Sequence, residues 1–166
     1  DVHGRSSHAG VFPDRGISAI LIASRAISQV AEQGFFGKIE IDGRSGTSNV
    51  GKFSGGEASN QVTDYVKVTG ECRRHSKAFL RTITSTYRKA FEQAVKSVRN
   101  NRGEMGSVDF QVNRQYEAFK LSERSLPVRL AKSSVTKLGG NPILVIADGG
   151  LDANNLSARG VPTVTL

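Results

Sequence analysis

The side chains able to do chemistry are few in this chain, and their spacing limits what they can do. The 166 residues include three histidines and a single cysteine. His3 and His8 lie five apart. On a strand that offset puts them on opposite faces, so they make a poor metal-binding pair. No His-x-Asp pair, no Glu-Glu pair and no zinc-finger spacing occurs anywhere. A denser polar group lies near the end, in Ile146-Ala-Asp-Gly-Gly-Leu-Asp-Ala-Asn-Asn-Leu156. There a Gly149-Gly150 turn follows an apolar run and is followed by Asp152 and Asn154. Such a turn sets polar side chains and backbone N–H groups at a strand's C-terminal end, where open α/β sheets bind ligands. The same residues also suit an ordinary helix after a turn, capped by Asp152.

The elements that must position these groups follow from the hydrophobic pattern. Residues 1–10 suit a short polar strand, and Pro13-Asp-Arg-Gly16 a turn launching a helix. Ile20, Leu21, Ile27, Val30 and Ala31 recur at helical spacing until Gly34 ends the run. Residues 35–46 read as irregular, and a strand is expected over about 47–54. Val62, Val66, Val68, Gly70 and Cys72 alternate with Thr63, Lys67, Thr69, Glu71 and Arg73, the pattern of a half-buried antiparallel strand. Ser76 caps a helix to about Asn100, with Phe79, Leu80, Ile83, Tyr87, Phe91, Ala94, Val95 and Val98 on one stripe. Residues 100–106 are a polar loop, and Val108 to Tyr116 alternate as a fourth strand.

The order β-α-β-β-α-β over residues 1–118 predicts an α+β fold. Its expected form is a ferredoxin-like two-layer sandwich, a four-stranded antiparallel sheet with two helices on one face. Residues 119–166 change character. A helix over 126–138, a strand over 142–147, a helix over 153–158 and a closing strand give an α/β tail too short for its own core. That tail is expected to be a fragment of a second domain, and 142–166 to want neighbouring strands.

The net charge is +8 (23 basic minus 15 acidic), a balance that suits an anionic partner. The basic residues are scattered, with no run longer than two and few aromatics among them, so a solvated surface is expected rather than a nucleic-acid site. One cysteine, Cys72, excludes an internal disulfide and fits a reducing compartment, hence the cytoplasm. No apolar run approaches membrane-spanning length. The chain begins at Asp1 and its only methionine is Met105, as expected for a portion of a longer protein.

Four motifs in register carry a resemblance to a known family. They are Gly4-Arg-Ser-Ser-His-Ala-Gly10 before Pro13-Asp-Arg-Gly-Ile-Ser-Ala-Ile20, then Asn49-Val-Gly-Lys-Phe-Ser-Gly-Gly56 with Ala58-Ser-Asn-Gln-Val62, then Gly70-Glu-Cys-Arg-Arg-His-Ser76, and last Gly149 to Asn154. Together they resemble the lid, or dimerisation, domain of the co-catalytic zinc exopeptidases, nearest the tripeptidase T-like branch. In the tail, Leu151 stands where that family usually has serine. The resemblance covers nearly the whole chain.

The resemblance implies a zinc exopeptidase acting on short peptides, with residues 1–118 as its lid and 119–166 as part of its catalytic domain. It assigns His8 the catalytic task of donating a hydrogen bond to the scissile carbonyl oxygen, often in the partner subunit's active site. A positioned donor of this kind stabilises a tetrahedral oxyanion by roughly 3 kcal/mol. Arg73 is the implied grip on the substrate carboxylate, a task that suits its planar fork. Asn49 is placed near the same carboxylate. Asn60 joins the substrate-binding set through the turn after Gly55-Gly56, and Asp152 and Asn154 line the pocket. Arg74 falls where the family often has serine and is not the expected binder, and His75 is expected to be structural or exposed. The family's two zinc ions and its general base belong to segments outside these residues, so neither metal binding nor catalysis is expected from this chain alone. A homodimer through the lid is implied, with no nucleic acid and no membrane as partners. The alternative of another class is a stand-alone ferredoxin-like RNA-binding module, stacking bases on Tyr65 beside Lys67.

Overall fold

A computed structural model describes residues 1–74, 76–145 and 150–166. The chain divides into two compact units, Asp1–Val112 and Asn113–Leu166. In the first unit the elements in order are β1 (Val2–His3), β2 (Ser7–His8), a 3-10 turn (Pro13–Arg15), α1 (Ala19–Glu32), β3 (Gly37–Ile41) and β4 (Arg44–Gly55). Then come β5 (Gln61–Val62), β6 (Tyr65–Arg73), α2 (Lys77–Ser97) and β7 (Ser107–Val108). Five strands form one sheet in the order β3-β4-β6-β1-β7, with every neighbouring pair antiparallel. The fold is α+β, as the pattern predicted, but the sheet has five strands rather than four.

The added strand is β3, in the stretch that read as irregular. Asp42 and Gly43 both take positive φ, 50° and 71°. That is the backbone of a tight two-residue hairpin turn, and an Asp-Gly pair favours it. It pairs Ile41 with Arg44 and carries the ladder back to Gly37 opposite Ser48. Ile39 is fully buried with Phe79 and Ile83, so β3 helps build a core of its own at this end of the sheet.

The expected first strand is two strands in different sheets. β1 lies between β6 and β7, whereas β2 pairs with β5 in a separate two-stranded sheet. Gly4 sits at the break, and a Cβ there would lie 1.9 Å from the Ile17 carbonyl oxygen. Only glycine lets the two backbones pass so close. The long expected strand from Val62 is likewise interrupted: Thr63 and Asp64 separate β5 from β6. Within β6 the alternation holds, with Val66 buried and Tyr65, Lys67, Thr69 and Glu71 exposed.

Both helices pack in one core with β1 and β6. Ser18 caps α1, its hydroxyl accepting from the Leu21 N–H at 3.1 Å, and Ser76 caps α2 through the Phe79 N–H. The face α1 buries is Ala19, Ile22, Ala23, Ala26 and Val30, spaced three and four apart. Ile20 and Leu21, expected on that face, are 39% and 42% exposed. Ala23 and Ala26 of α1 share this core with Ala90 and Ala94 of α2. Small side chains there let two helices approach closely, which large ones would prevent. On α2 the expected stripe is the buried one at Phe79, Ile83, Phe91 and Ala94.

The fourth expected strand is shorter than predicted. Only Ser107–Val108 joins the sheet, opposite His3 and Val2. Beyond it Phe110 holds the chain by packing on the core, its ring 6.1 Å from that of Phe91 and beneath the Arg88 guanidinium. The second unit contains α3 (Leu126–Lys137) and α4 (Asp152–Ala158). Residues 142–145 and 161–166 form no strand. The remainder of the expected 142–147 strand, with Gly149, lies outside the described residues. A strand needs a neighbour to take up its N–H and C=O groups, and this unit supplies none among the described residues.

Candidate functional site

His8 ends β2, opposite Gln61 of β5. Its side chain is exposed, but its ring is held from one side. The Gly10 and Val11 N–H groups both donate to His8 Nδ1, each at 3.2 Å. The His8 carbonyl oxygen in turn accepts from Phe12 N at 2.9 Å and from Val11 N at 3.2 Å. A nitrogen accepting two N–H bonds carries no proton, so in the neutral ring the hydrogen is on Nε2, on the side of the exposed ring away from these donors. The turn that follows fits against β5 because Gly16 is buried there. A Cβ at Gly16 would lie 2.4 Å from Ser7 Oγ and 2.8 Å from Val62 Cβ.

Asn60 meets this region through its backbone, its carbonyl oxygen accepting from the Ala9 N–H at 2.8 Å. Beside it is a shallow polar cavity of about 340 Å³ lined by Gly55, Gly56, Glu57, Gln61, Thr63 and Asp64. The first of the expected substrate groups is thus assembled from β2, the 8–12 turn and the segment before β5.

Arg73 and Asn49 form a separate group. Arg73 ends β6 opposite Thr47, and Asn49 of β4 lies opposite Glu71. Because cross-strand partners share a face, Thr47, Asn49, Glu71 and Arg73 line the sheet surface away from the helices. Ser48 and Cys72, the residues between them, turn inward, with Ser48 buried and Cys72 packed on the core. Asn49 and Arg73 are diagonal neighbours, about 7–8 Å apart between strands. Arg73 Nη2 donates to Glu71 Oε2 at 2.9 Å. Both side chains of this ion pair are more than a third exposed, so the pair contributes about 0–1 kcal/mol. Arg74 points elsewhere, donating to Ser45 Oγ. His75 lies outside the described residues.

The two groups attach toward opposite ends of β6. His8 is reached from β1, whose His3 pairs with Tyr65 at the start of β6, while Arg73 is at the other end. Eight residue steps of strand take Tyr65 to Arg73, about 26 Å at 3.3 Å per step. An extended tripeptide spans only about 10 Å.

In the second unit Asp152 is exposed and is the first residue of α4; Leu151, not Asp152, holds the cap position. Asn154 is buried. Its Oδ1 accepts from the Leu151 N–H at 3.0 Å and its Nδ2 donates to the Glu117 carbonyl oxygen at 2.8 Å. The residue that caps this helix start is therefore Asn154, acting backwards from its third position. Sequence reasoning missed that role because asparagine at that place also reads as a pocket residue.

Two polar tyrosines complete the picture. Tyr65 donates to Asp1 Oδ1 at 2.5 Å and packs 5.4 Å from the His3 ring, so the aromatic of the RNA-binding alternative is already engaged within its sheet. Tyr87 shares a hydrogen bond with the buried Ser48 hydroxyl at 2.8 Å, and burial raises its pKa above the usual tyrosine value. Burial, then the neighbouring Glu71, also raises that of the Cys72 thiol. Among the described residues no group of three or more His, Cys, Asp or Glu side chains could hold a metal ion. No described helix is long and apolar enough to cross a membrane.

Residues 1–99, which contain both groups of the first unit, match the profile of the family described as the peptidase dimerisation domain. The chain belongs to that family. Similar sequences include the uncharacterised protein YqjE of Bacillus subtilis, 33% identical over 99% of this chain and 41% of its own. Another is peptidase T of Clostridium novyi, 26% identical over 99% of this chain and 38% of its own. Among solved structures, aminopeptidase PepT of Bacillus cereus superposes with a TM-score of 0.79 at 34% identity, covering 97% of this chain and 40% of that one. A tripeptidase of Staphylococcus aureus gives 0.80 at 30% identity, covering 97% and 39%. The chain thus spans about two fifths of the length of these relatives. The peptidase dimerisation domain accounts for its first 99 residues. Nothing in these comparisons favours an RNA-binding module.

Proposed function

We propose that this chain is the dimerisation, or lid, portion of a zinc-dependent exopeptidase of the tripeptidase T type, together with a piece of its catalytic domain. The observation that carries this reading is the geometry of His8. Its Nδ1 is satisfied by two backbone donors and its Nε2–H is on the side of the exposed ring away from them, as an oxyanion donor requires. Arg73, with Asn49 beside it, is the substrate-carboxylate grip. Asn60 supports the His8 turn through its backbone. Asp152 is exposed at a helix start and remains available to a pocket wall, whereas Asn154 serves that wall by holding its turn. The reading places residues 1–118 in the lid and 119–166 in the catalytic domain, in the cytoplasm. The two zinc ions and the general base are assigned to residues outside this chain, so no step here runs through metal.

Separation along β6 supports one further element of the reading. His8 and Arg73 attach at opposite ends of β6, which supports an active site that takes His8 from one subunit and Arg73 from the other. The order β4-β6-β1-β7 supports reading the sheet as a ferredoxin-like layer, widened at one edge by β3. β3 pairs with residues 44–48 of β4, and among the described residues Asn49, Val50 and 52–55 beyond them pair with β6 and with no strand on the other side. This open edge suits antiparallel pairing with its own copy across a two-fold axis.

Co-expression in the full-length protein tests the arrangement. His8→Ala and Arg73→Ala homodimers should each hydrolyse tripeptides poorly with zinc. Mixed dimers should recover activity, because one of their two sites then holds both native residues. Failure of the mixture to exceed either homodimer removes the shared-site reading, and an inert zinc-loaded wild type removes the peptidase reading.

A further inference from the structure

The polar loop between α2 and β7 is outside both residue groups described above, yet its hydrogen bonds converge on the turn that follows His8. Asn100 is 9% exposed, and each end of its amide makes two bonds. Its Oδ1 accepts from the Arg102 and Glu104 N–H groups, at 3.0 and 2.9 Å. Its Nδ2 donates to Glu104 Oε2 at 2.6 Å and to the Arg15 carbonyl oxygen at 3.3 Å. Next to it, the Asn101 backbone N–H donates to the Asp14 carbonyl oxygen at 2.8 Å. The Asn101 side-chain Nδ2 donates to Asp14 Oδ2 at 2.5 Å. Glu104 also accepts from Arg5.

These contacts grip the His8 segment at both of its ends. Arg5 and Ile17 exchange backbone hydrogen bonds, each 2.9 Å, and so close the stem of the loop that contains His8. Glu104 holds the stem at Arg5, while Asn100 and Asn101 hold the 3-10 turn at Asp14 and Arg15. The gripping loop is itself fixed on two sides. α2 packs into the core before it, and β7 pairs with β1 after it. None of these residues touches His8, so what they can set is where the 10–12 backbone lies, and through the Gly10 and Val11 N–H groups the direction of the imidazole.

We propose that Asn100, Asn101 and Glu104 form a clamp that positions His8, holding the two backbone donors on its Nδ1 and thereby aiming Nε2. The inference rests on the catalytic role proposed for His8, and it adds a remote positioning element to it. Displacements of the order of 1 Å at a reacting group can cost up to about a hundredfold in rate, so a clamp of this kind has a readable effect.

The test uses the full-length protein with two variants. Asn101→Ala deletes one exposed side-chain bond and leaves the buried Asn100 in place, so it keeps the fold; Asn100→Ala removes the centre of the clamp. In Asn101→Ala, kcat for tripeptide hydrolysis should fall about tenfold with little change in KM. The same substitution on top of His8→Ala should cost nothing further, because the clamp acts through that ring. Amide hydrogen exchange at Gly10 and Val11 should speed up about tenfold in Asn101→Ala, and more in Asn100→Ala, without a matching loss of protection in β6. An undiminished effect of Asn101→Ala in the His8→Ala background, or unchanged exchange at Gly10 and Val11, overturns the proposal. If His8→Ala itself leaves turnover intact, the catalytic role of His8 fails, and the exchange measurement alone decides whether the clamp exists.

Discussion

The His8 turn and the Arg73 face belong to the same unit but are built in opposite ways. Around His8 the ring nitrogen, the carbonyl oxygen and the following turn are all held by backbone groups, and the turn is gripped again from residues 100–104. Arg73 instead stands on a ladder strand with an exposed ion pair to Glu71. A donor that must meet charge developing in a transition state gains from being fixed beforehand. A cation that meets a carboxylate already present in the ground state gains more from a partner it can exchange. Local rigidity thus separates a group suited to lowering a barrier from one suited to binding.

Three substitutions in the full-length protein would sharpen or break that comparison. The largest effect is expected for His8→Ala, a fall of about 10²–10³ in kcat with KM nearly unchanged, the loss that its proposed role as an oxyanion donor implies. Steady-state tripeptide hydrolysis reads it, and a change confined to KM would reverse the contrast drawn above. Next comes Arg73→Lys, which keeps the charge but loses the two-pronged contact. It should raise KM about tenfold and spare kcat, and a kcat loss comparable to that of His8→Ala would place both residues in one catalytic unit.

The smallest effect concerns pH. Hydrogen bonds from Asn100 and then Arg5 hold the Glu104 carboxyl below its usual value of 4.5. Its folded pKa is depressed, so its contribution to stability is present above the unfolded value and is lost as pH falls through the folded one. Glu104→Gln should therefore lower the thermal midpoint near pH 7 by a few degrees at most, and the gap to wild type should narrow when the pH is taken well below 4.5. A gap of equal size at both pH values would show that the carboxylate charge plays no part in the grip on Arg5.

How much of this was legible in the sequence depended on what each residue's neighbours supply. The α2 stripe and the β6 alternation were readable because each element alone fixes which side is buried. On α1 the large residues Ile20 and Leu21 point outward while the small Ala19, Ala23 and Ala26 are buried, so size alone does not mark the buried face. β3 was missed although Asp42-Gly43 is a hairpin signal, since Gly37 and Gly43 masked the short apolar run of Ile39 and Ile41. The expected strand after Val108 was an error of the opposite kind: Phe110 alternates correctly, but it anchors the chain by packing rather than by pairing. In the candidate site, His8, Arg73 and Asn49 were found only through family resemblance, as one exposed histidine and one strand-end arginine carry no pattern of their own. The clamp at residues 100–104 left no trace beyond a polar loop, because its bonds join positions about 85 apart in the chain.

The alanine seam between α1 and α2 also bears on how this domain can change. Ala23, Ala26, Ala90 and Ala94 are all buried in the core that the two helices share, and an added methyl group there costs about 1–3 kcal/mol in overpacking. Ile20 and Leu21, large and outward, carry no such restriction. Sequence drift in this helix pair should therefore run against intuition, with its smallest side chains the least replaceable and its bulkiest exposed ones free to vary.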